Sequence, residues 1–271
     1  MSLALRYAIG SDVGRKRAGN QDSATAGRRL LAVADGMGGH AHGELASSLT
    51  VAALADLDDS LPAELDGVEL TTALATGIDD AARRLDAGAR SDPTSRGMGT
   101  TVVAMLFDGA RFGVLHIGDS RIYRLRDGEL TRLTHDHTVV QALVDEGRIT
   151  PEEAAVHPRR SVLLRALQAG HEPDPETWDD IALAGDRLFL CSDGVTAVLP
   201  DELIAELLAT RSLDEVVSDV VELANEGGGP DNITCVVADL VEIAADADQA
   251  TSTDAQPRLL AGAAQEQQEA V

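Results

Sequence analysis

Residues 100–134 read "TTVVAMLFDGARFGVLHIGDSRIYRLRDGELTRLT", and this stretch decides the fold class. It contains four strand-like segments with no helical pattern between them, at residues 100–107, 111–118, 121–126 and 129–134. Asp108-Gly109 joins the first pair and Asp127-Gly128 the second, and Asp-Gly between such runs is a hairpin signal. The stretch therefore predicts an antiparallel meander and favours the α+β class over a doubly wound parallel sheet.

The rest of the chain up to residue 242 is predicted to add strands and segregated helices to the same domain. Further strands are predicted within residues 30–35, 186–194 and 232–243, and helices at 44–57, 68–87, 138–146, 201–209 and 213–226. Residues 1–242 thus form one predicted domain. Residues 243–271 are polar and acidic without periodicity, and we expect them to be a disordered tail.

The composition restricts the classes of partner. The chain has 271 residues, a formal net charge of −24 and 44% hydrophobic residues. This charge argues against nucleic acid and anionic membrane surfaces as partners, because both bind through basic patches. No apolar stretch of the sequence approaches the roughly 18 residues that span a bilayer. We expect a cytoplasmic monomer in which Cys191 and Cys235, both in apolar runs, are buried and reduced.

The stretch "LLAVADGMGGHAHGEL", residues 30–45, poses the question of what Asp35 does at the end of a buried strand. Three answers compete: a turn residue, part of a dinucleotide-binding fingerprint, or a metal ligand. Residues 36–41 fit the pattern G-x-G-x-x-A between a strand and a helix. Asp35 would, however, place a negative charge beside a pyrophosphate, and the chain lacks the β-α-β pattern that the fingerprint needs. A dinucleotide-dependent oxidoreductase is therefore the weakest hypothesis.

Aspartates recur at the ends of the predicted strands, at Asp22, Asp35, Asp119, Asp193 and Asp231. Any one of them alone fits an ordinary turn, as in the two hairpins above. If several converge, their carboxylates repel one another and shift their pKa values. A hard divalent cation removes that conflict, and oxygen ligands suit magnesium, manganese or calcium better than zinc.

Seven segments, in order, resemble the metal-dependent protein phosphatase family, the type 2C Ser/Thr phosphatases, in its bacterial form. They are "GRKRAGNQDS", "VADGMGGHAHGELAS", "GMGTT", "HIGDSRIYRL", "LTHDHT", "LFLCSDGV" and "GPDNITCVV", and they cover nearly all of residues 6–240. The resemblance implies an α+β fold of four layers, in which two central antiparallel sheets are flanked by helices on both outer faces.

The resemblance also implies two core ions, Mn²⁺ or Mg²⁺. Asp35 resembles the carboxylate that bridges the two metals, and the Gly36 carbonyl resembles a ligand of one of them. Asp193 and Asp231 resemble the ligands of the other. Asp119, together with Asp193, resembles the site of a weaker third ion.

Other residues resemble the supporting groups of the family. Arg17 resembles the arginine that binds phosphate, Asp22 an acid that orders metal-bound waters, and Asn232 a residue beside the site. Animal members carry a histidine directly after the Asp-Gly, proposed as the general acid, and this chain has Met37 there. His40 is a weaker candidate for that role, because a packing or capping role suits its place at the expected helix start better.

The reaction that the resemblance implies is hydrolysis of phosphoserine and phosphothreonine by a metal-bridging hydroxide, without a phosphoenzyme. Phosphorylated proteins, including bacterial Ser/Thr kinases and their substrates, are the implied partners. Residues 147–168 resemble the flap beside the site, in which Arg159, Arg160 and Arg165 are either contacts for an acidic phosphopeptide or ordinary surface charges. The second hypothesis is a non-enzymatic relative that binds metal and phosphoproteins, and the complete set of acids argues against it.

Overall fold

Two antiparallel β-sheets lie at the centre of the protein. The computed structural model describes residues 2–38, 42–243 and 256–269. In chain order the strands are β1 (Ser2–Asp12), β2 (Asp22–Ala26), β3 (Leu30–Met37), β4 (Gly99–Thr100), β5 (Val102–Phe107), β6 (Arg111–Ile117), β7 (Arg121–Arg126), β8 (Glu129–Arg132), β9 (Leu167–Gln168), β10 (Glu176–Ile181), β11 (Arg187–Cys191), β12 (Ile233–Ile243) and β13 (Leu259–Gly262).

Helices cover the outer faces of both sheets. In chain order they are α1 (His42–Ser60), α2 (Leu70–Ser91), α3 (Val139–Asp145), α4 (Pro151–Ala155), α5 (Asp193–Thr196), α6 (Asp201–Thr210), α7 (Leu213–Glu226) and α8 (Ala263–Glu269). A single 3₁₀ turn, Pro93–Ser95, follows α2. Among the helices of the described residues, none combines the length and the hydropathy that crossing a membrane requires.

The strand order confirms the four-layer α+β fold. The five-stranded sheet has the order β1-β12-β11-β7-β8, and the eight-stranded sheet has the order β10-β6-β5-β3-β2-β13, with β4 and β9 attached beside β3. Helices α1 and α2 pack on the eight-stranded sheet, and α6 and α7 pack on the five-stranded sheet. The strand pairs are antiparallel throughout the described residues.

Alternating side chains separate the layers. In β3, Leu31 and Val33 pack between the two sheets, whereas Leu30 and Ala32 pack against α1 and α2. Successive residues of a strand point to opposite faces, so a strand that is covered on both faces needs an uninterrupted apolar run. The run "LLAVA" at residues 30–34 therefore marks a central strand of the sandwich.

The four segments of residues 100–134 are strands, but the expected single meander is wrong. Hairpin β5–β6 belongs to the eight-stranded sheet and hairpin β7–β8 to the five-stranded sheet. The chain crosses between the sheets after Ile117. Gly118 makes the turn at φ +108°, and a Cβ there would lie 2.6 Å from Thr101 Cγ2, so the position requires glycine. The crossing leaves Asp119 at one end of the sandwich.

The C-terminal part of the chain also differs from its prediction. The expected disordered tail at 243–271 is contradicted for residues 256–269, because β13 pairs with β2 and α8 packs on α1. Ala261 and Ala263 are buried there. Composition does not reveal this order, because the segment obtains its backbone hydrogen bonds from the free edge of β2. Residues 244–255 and 270–271 lie outside the described residues.

Candidate metal centre

The five strand-end aspartates meet at one end of the sandwich. Asp22 begins β2 and Asp35 lies near the end of β3, directly opposite it in the antiparallel register. Asp119 lies at the crossing after β6, Asp193 begins α5 after β11, and Asp231 lies just before β12. Strands β2, β3 and β6 belong to one sheet and β11 and β12 to the other. Both sheets therefore contribute carboxylates to one acid cluster.

Members of this acid cluster raise one another's pKa values. Burial raises the pKa of Asp35 well above its usual value, and the charges of Asp22, Asp193, Asp119 and Asp231 raise it further. Burial is also the largest cause of the raised pKa values of Asp22, Asp119 and Asp193. Like charges held this close favour the uptake of protons or cations. The negative charge of the acid cluster is therefore not balanced by the protein alone.

The backbone of Asp35 is fixed by the threonines of "GMGTT". The Asp35 N–H donates to Thr101 Oγ1 at 3.0 Å, and the Thr101 N–H donates to the Asp35 carbonyl at 2.8 Å. Thr100 Oγ1 donates to the same carbonyl at 2.9 Å. The Thr101 hydroxyl also lies 2.7 Å from Ser120 Oγ, beside Asp119. These bonds couple the end of β3 to the crossing between the sheets.

Glycines permit three backbone segments to touch next to Asp35. An added Cβ at Gly36 would lie 2.0 Å from the Gly43 oxygen, and one at Gly43 would lie 2.7 Å from the Gly36 oxygen. The Gly36 N–H donates to the Gln21 carbonyl at 3.1 Å. The Gly36 amide is therefore used within the protein, and its carbonyl lies at the junction of β3 with α1.

Asn232 ties the loop between β1 and β2 to the acid cluster. Its Nδ2 donates to the carbonyls of Val13 and Gly19 at 2.9 and 3.0 Å. Its Oδ1 accepts the Gln21 N–H at 2.8 Å. This loop carries Arg17, so Asn232 joins the loop of Arg17 to the residue that follows Asp231.

Arg17 faces the acid cluster as a cation. Its Nη2 lies 2.5 Å from Asp231 Oδ2, and half of its side chain is exposed. Burial lowers the pKa of Arg17, but the hydrogen bond to Asp231 and the charges of Asp35 and Asp193 outweigh this and raise it overall. The guanidinium therefore stays charged and accessible from solvent.

Ser192 is a site residue that the sequence interpretation missed. Its Oγ donates to Asp22 Oδ2 at 2.7 Å and accepts the Thr234 N–H at 3.1 Å, and the side chain is fully buried. The available signal was its position, since a small polar residue between the apolar run of β11 and Asp193 lies beside the carboxylates. Ser192 fixes one oxygen of Asp22.

The donor set fits divalent ions. Asp22 Oδ1 and Asp193 Oδ1 are buried, and neither has a hydrogen-bond partner among the described residues. Buried oxygens of this kind are costly unless a ligand or water satisfies them. Carboxylates together with the Gly36 carbonyl form the hard oxygen set that Mg²⁺ and Mn²⁺ prefer.

A second group of metal-capable side chains lies nearby. Among the described residues, three ligand atoms within 4.8 Å of one another occur at His116, His137 and Glu176, and not within the acid cluster. The two imidazole rings stack at 4.4 Å with an interplanar angle of 24°, so their in-plane lone pairs run side by side and do not converge. His137 Nδ1 already accepts the Gly118 N–H at 3.0 Å. We assign this histidine pair to anchoring the crossing, and the acid cluster to metal.

Comparison with known proteins decides the family. The family model for protein phosphatase 2C matches residues 9–238, which contain the whole acid cluster, Arg17 and Asn232. The chain belongs to the protein phosphatase 2C family. Within this family it is 53% identical over 242 residues to the serine/threonine protein phosphatase PstP of Mycobacterium tuberculosis, covering 89% of this chain and 46% of PstP. The chain therefore spans about half the length of these mycobacterial relatives.

A second curated relative and two solved structures of PstP are matched along most of the length of each compared chain. The serine/threonine phosphatase stp of Listeria monocytogenes is 36% identical over 235 residues, covering 84% of this chain and 93% of stp. The crystal structure of the Mycobacterium tuberculosis phosphatase PstP/Ppp matches with a TM-score of 0.84 at 53% identity, covering 88% of this chain and 100% of that one. The PstP catalytic domain in complex with two manganese ions matches with a TM-score of 0.83 at 52% identity, covering 89% and 100%.

The remaining sequence candidates differ in their surroundings. His40 lies outside the described residues. In residues 147–168, predicted from the resemblance to be the flap, the candidates Arg159 and Arg160 are exposed. Arg165 is instead paired with Asp174 and Glu176, at 3.2 and 3.0 Å.

Proposed function

We propose that this chain hydrolyses phosphoserine and phosphothreonine monoesters in proteins with bound Mn²⁺ or Mg²⁺. The observation that carries the proposal is the convergence of five carboxylates from both sheets beside one accessible guanidinium. Carboxylates supply metal ligands, and a guanidinium supplies the planar donors that suit a phosphate. Arg17 and Asp231 are 50% and 28% exposed, so a phosphate can reach them from solvent.

Five residues would hold the ions. We assign Asp35, the Gly36 carbonyl, Asp193 and Asp231 to two core ions, and Asp119 with Asp193 to a third. The PstP catalytic domain, 52% identical to this chain, forms a complex with two manganese ions, which supports the choice of metal and the number of core ions. When bound, such ions supply a coordinated water of lowered pKa and neutralise charge on the phosphate oxygens.

Arg17 would bind and orient the phosphate. It is half-exposed and paired with Asp231, so an arriving phosphate competes with that carboxylate for the guanidinium. Two parallel N–H donors on two phosphate oxygens fix the orientation as well as the charge. The exchange also frees Asp231 to serve as a ligand.

Asp22 would orient the attacking water. Ser192 holds its Oδ2, whereas its Oδ1 has no hydrogen-bond partner within the described residues and can accept from a water. A fixed acceptor of this kind holds the water in line with the phosphorus atom. Met37, where animal relatives carry histidine, has no proton to give to the leaving alkoxide.

The proposed substrates are phosphorylated proteins, including Ser/Thr kinases and their targets. Arg159 and Arg160 are exposed, and in the segment that resembles the flap they would supply positive charge for an acidic phosphopeptide. We further propose a cytoplasmic monomer. In support of that compartment, Cys191 and Cys235 are buried free thiols although they lie opposite each other in paired strands.

Hydrolysis of p-nitrophenyl phosphate and of a phosphothreonine peptide tests the proposal, with Mn²⁺, with Mg²⁺ and with chelator. We expect Asp35→Asn to lower kcat/KM by about 10³-fold, because a lost metal bridge removes transition-state charge stabilisation. The matched control is Asp127→Asn, which makes the same chemical change in an exposed turn at φ +52°, where asparagine is tolerated.

Two results would contradict the proposal. Absence of metal-dependent turnover with both substrates rejects a phosphatase. Binding of Mn²⁺ and phosphopeptide without turnover would instead favour a non-enzymatic relative that sequesters phosphoproteins.

A further inference from the structure

We propose that residues 256–269 form a clasp that holds the start of β2 and thereby positions Asp22 in the acid cluster. This C-terminal clasp lies beyond residue 238, where the family match ends. The proposal goes beyond the phosphatase function, because it concerns how this chain sets the geometry of its own site.

The clasp adds the last strand to the eight-stranded sheet. Strand β13 pairs antiparallel with β2, from Leu259 opposite Ala26 to Gly262 opposite Ser23. Thr25 Oγ1 donates to the Leu259 carbonyl at 3.1 Å. An unpaired strand edge exposes N–H and C=O groups, so β13 gives β2 the second neighbour that the family-matched region does not supply.

The clasp also closes the edge of the other sheet. The Tyr7 N–H of edge strand β1 donates to Gln256 Oε1 at 3.1 Å, and Gln256 Nε2 donates to the Tyr7 carbonyl at 3.0 Å. The Tyr7 hydroxyl donates to the carbonyls of Gln256 and Pro257 at 2.9 and 3.0 Å. One side-chain amide thus replaces a neighbouring strand, and the clasp joins the two sheets at their open edges.

An ion-pair group fixes the entry of the clasp. Arg258 Nη2 lies 2.7 Å from Asp58 Oδ2 and 2.7 Å from Asp59 Oδ1. Asp58 is 5% exposed and also accepts from Arg29 at 3.0 Å. Because Asp58 is buried, loss of Arg258 would leave this carboxylate with less compensation.

The clasp reaches the acid cluster through Gly262. This residue has φ +70°, and an added Cβ would lie 2.2 Å from the Asp22 carbonyl oxygen and 3.1 Å from Ser11 Oγ. Only glycine allows the clasp to lie directly on the backbone of Asp22. Gly262 is therefore a positioning residue for Asp22.

A directed chain of hydrogen bonds extends this contact to the residue before Asp22. The Ala264 N–H donates to Ser23 Oγ at 3.1 Å, and Ser23 Oγ lies 2.9 Å from Ser47 Oγ. Ser47 Oγ donates to the Gln21 carbonyl at 2.6 Å, so the proton between the two serines comes from Ser23. The clasp thus holds the residues on both sides of Asp22.

Amide exchange in the metal-free 271-residue chain tests the clasp. The informative amides are those of Gln21 and Gly36: the Gln21 N–H donates to Asn232 Oδ1, and the Gly36 N–H donates to the Gln21 carbonyl. We expect Gly262→Ala to speed their exchange by about tenfold, because the site-end of β2 opens locally when the clasp is displaced. Amides of β7, on the other sheet, should keep their wild-type rates.

A matched control separates positioning from general loss of stability. Leu208→Ala removes a buried side chain of α6, on the other sheet. It should speed amide exchange at Gln21 and Gly36 by about the same factor as at β7, because it lowers the stability of the whole domain. Arg258→Ala should act in the same direction as Gly262→Ala but more weakly, because it loosens only the entry of the clasp. Adding a synthetic peptide of residues 256–269 to Gly262→Ala should restore slow exchange.

Calorimetric titration with Mn²⁺ gives a second readout. We expect the dissociation constant to rise about tenfold in Gly262→Ala and to be unchanged in Leu208→Ala, since a misplaced outer residue weakens a metal site. Wild-type exchange rates at Gln21 and Gly36 in Gly262→Ala would overturn the proposal, as would equal acceleration at these amides and at β7. Neither result depends on turnover, so failure of the clasp and failure of the phosphatase proposal are distinguishable.

Discussion

Two groups of enclosed aspartates in this protein have opposite surroundings. Asp186 is 2% exposed and accepts from Arg126 through both carboxylate oxygens, each at 2.6 Å. Asp58 is held between Arg29 and Arg258. The acid cluster brings five carboxylates together, and the pKa values of four of them, Asp22, Asp35, Asp119 and Asp193, are raised. Among the described residues, Arg17 pairs with the fifth, Asp231.

The difference distinguishes structural acids from ligands. A buried carboxylate that is matched by a guanidinium completes the fold, and removing one partner leaves an uncompensated charge. Carboxylates that face one another without enough positive charge destabilise the metal-free fold and are typical of functional sites. In the sequence, the structural Asp186 follows a glycine and precedes a strand, much as the acids of the cluster lie at strand ends. Only the side chains that surround each aspartate in the structure distinguish the two groups.

The largest expected contrast is in activity. Asp193→Asn should lower metal-dependent kcat/KM by about 10³-fold, because it removes a ligand and with it charge stabilisation of the transition state. Asp186→Asn should leave the activity of the folded fraction unchanged. Steady-state assays, corrected for the folded fraction by circular dichroism, measure both variants. Equal losses of kcat/KM in Asp193→Asn and Asp186→Asn would contradict the assignment of Asp193 as a ligand and Asp186 as a structural acid.

His116 sharpens the comparison as a buried base whose two ring nitrogens have no hydrogen-bond partner among the described residues. Burial is the larger cause and the neighbouring His137 the smaller, and together they lower its pKa from 6.5 to about 4 against the opposing charges of Asp136 and Glu176. The unfolded chain takes up this proton below about pH 6.5 and the folded protein does not, so stability is present above that pH and is lost as the pH falls towards 4. The loss should be on the order of 3 kcal/mol.

Denaturant titrations between pH 7 and pH 4 measure this loss as a difference between variants. His116→Asn should remove this part of the pH dependence, whereas His171→Asn, at an exposed position, should retain it. Identical pH dependence in wild type and His116→Asn would show that His116 is not held neutral by burial.

The next largest expected effect is a loss of stability on removing a carboxylate that is paired with a guanidinium. Asp186→Asn leaves Arg126 without its bidentate partner, and we expect the free energy of unfolding to fall by about 2 kcal/mol, below the full value for a buried pair because Arg126 is 27% exposed. Asp127→Asn, in its exposed turn, is the control and should be neutral. Urea unfolding in the presence of chelator measures both, and a neutral Asp186→Asn would assign that pair no structural role.

The smallest expected effect has the opposite sign. In the metal-free protein, Asp193→Asn removes one of several like charges, so the free energy of unfolding should rise by about 1 kcal/mol at pH 8. Saturating Mn²⁺ should reverse the order of wild type and variant, because only wild type retains the full ligand set. A destabilised metal-free Asp193→Asn would indicate that the cluster is already compensated.

Prediction from sequence failed where a strand is stabilised mainly by its neighbours. Strand β1 received no prediction, although Leu3, Leu5, Tyr7 and Ile9 alternate as in a half-buried strand. Strand β10, "ETWDDI", is a polar edge strand whose order comes from pairing with β6. The pattern of β1 was thus present and overlooked, whereas β10 has a weak local pattern, because a polar edge strand obtains much of its order from backbone pairing.

The residue pattern by itself indicated the α+β class and the aspartates at the strand ends, and the resemblance to a known family implied the four layers. Apolar runs such as residues 30–34 require cover on both faces, and aspartates at their ends cannot enter the core. Only the tertiary structure decided which acids meet, that Ser192 holds Asp22, and that residues 256–269 close two sheet edges. Asp22 and Asp231 are far apart along the chain, and their approach depends on how the two sheets pack. Packing of that kind is a long-range property that no local pattern of residues carries.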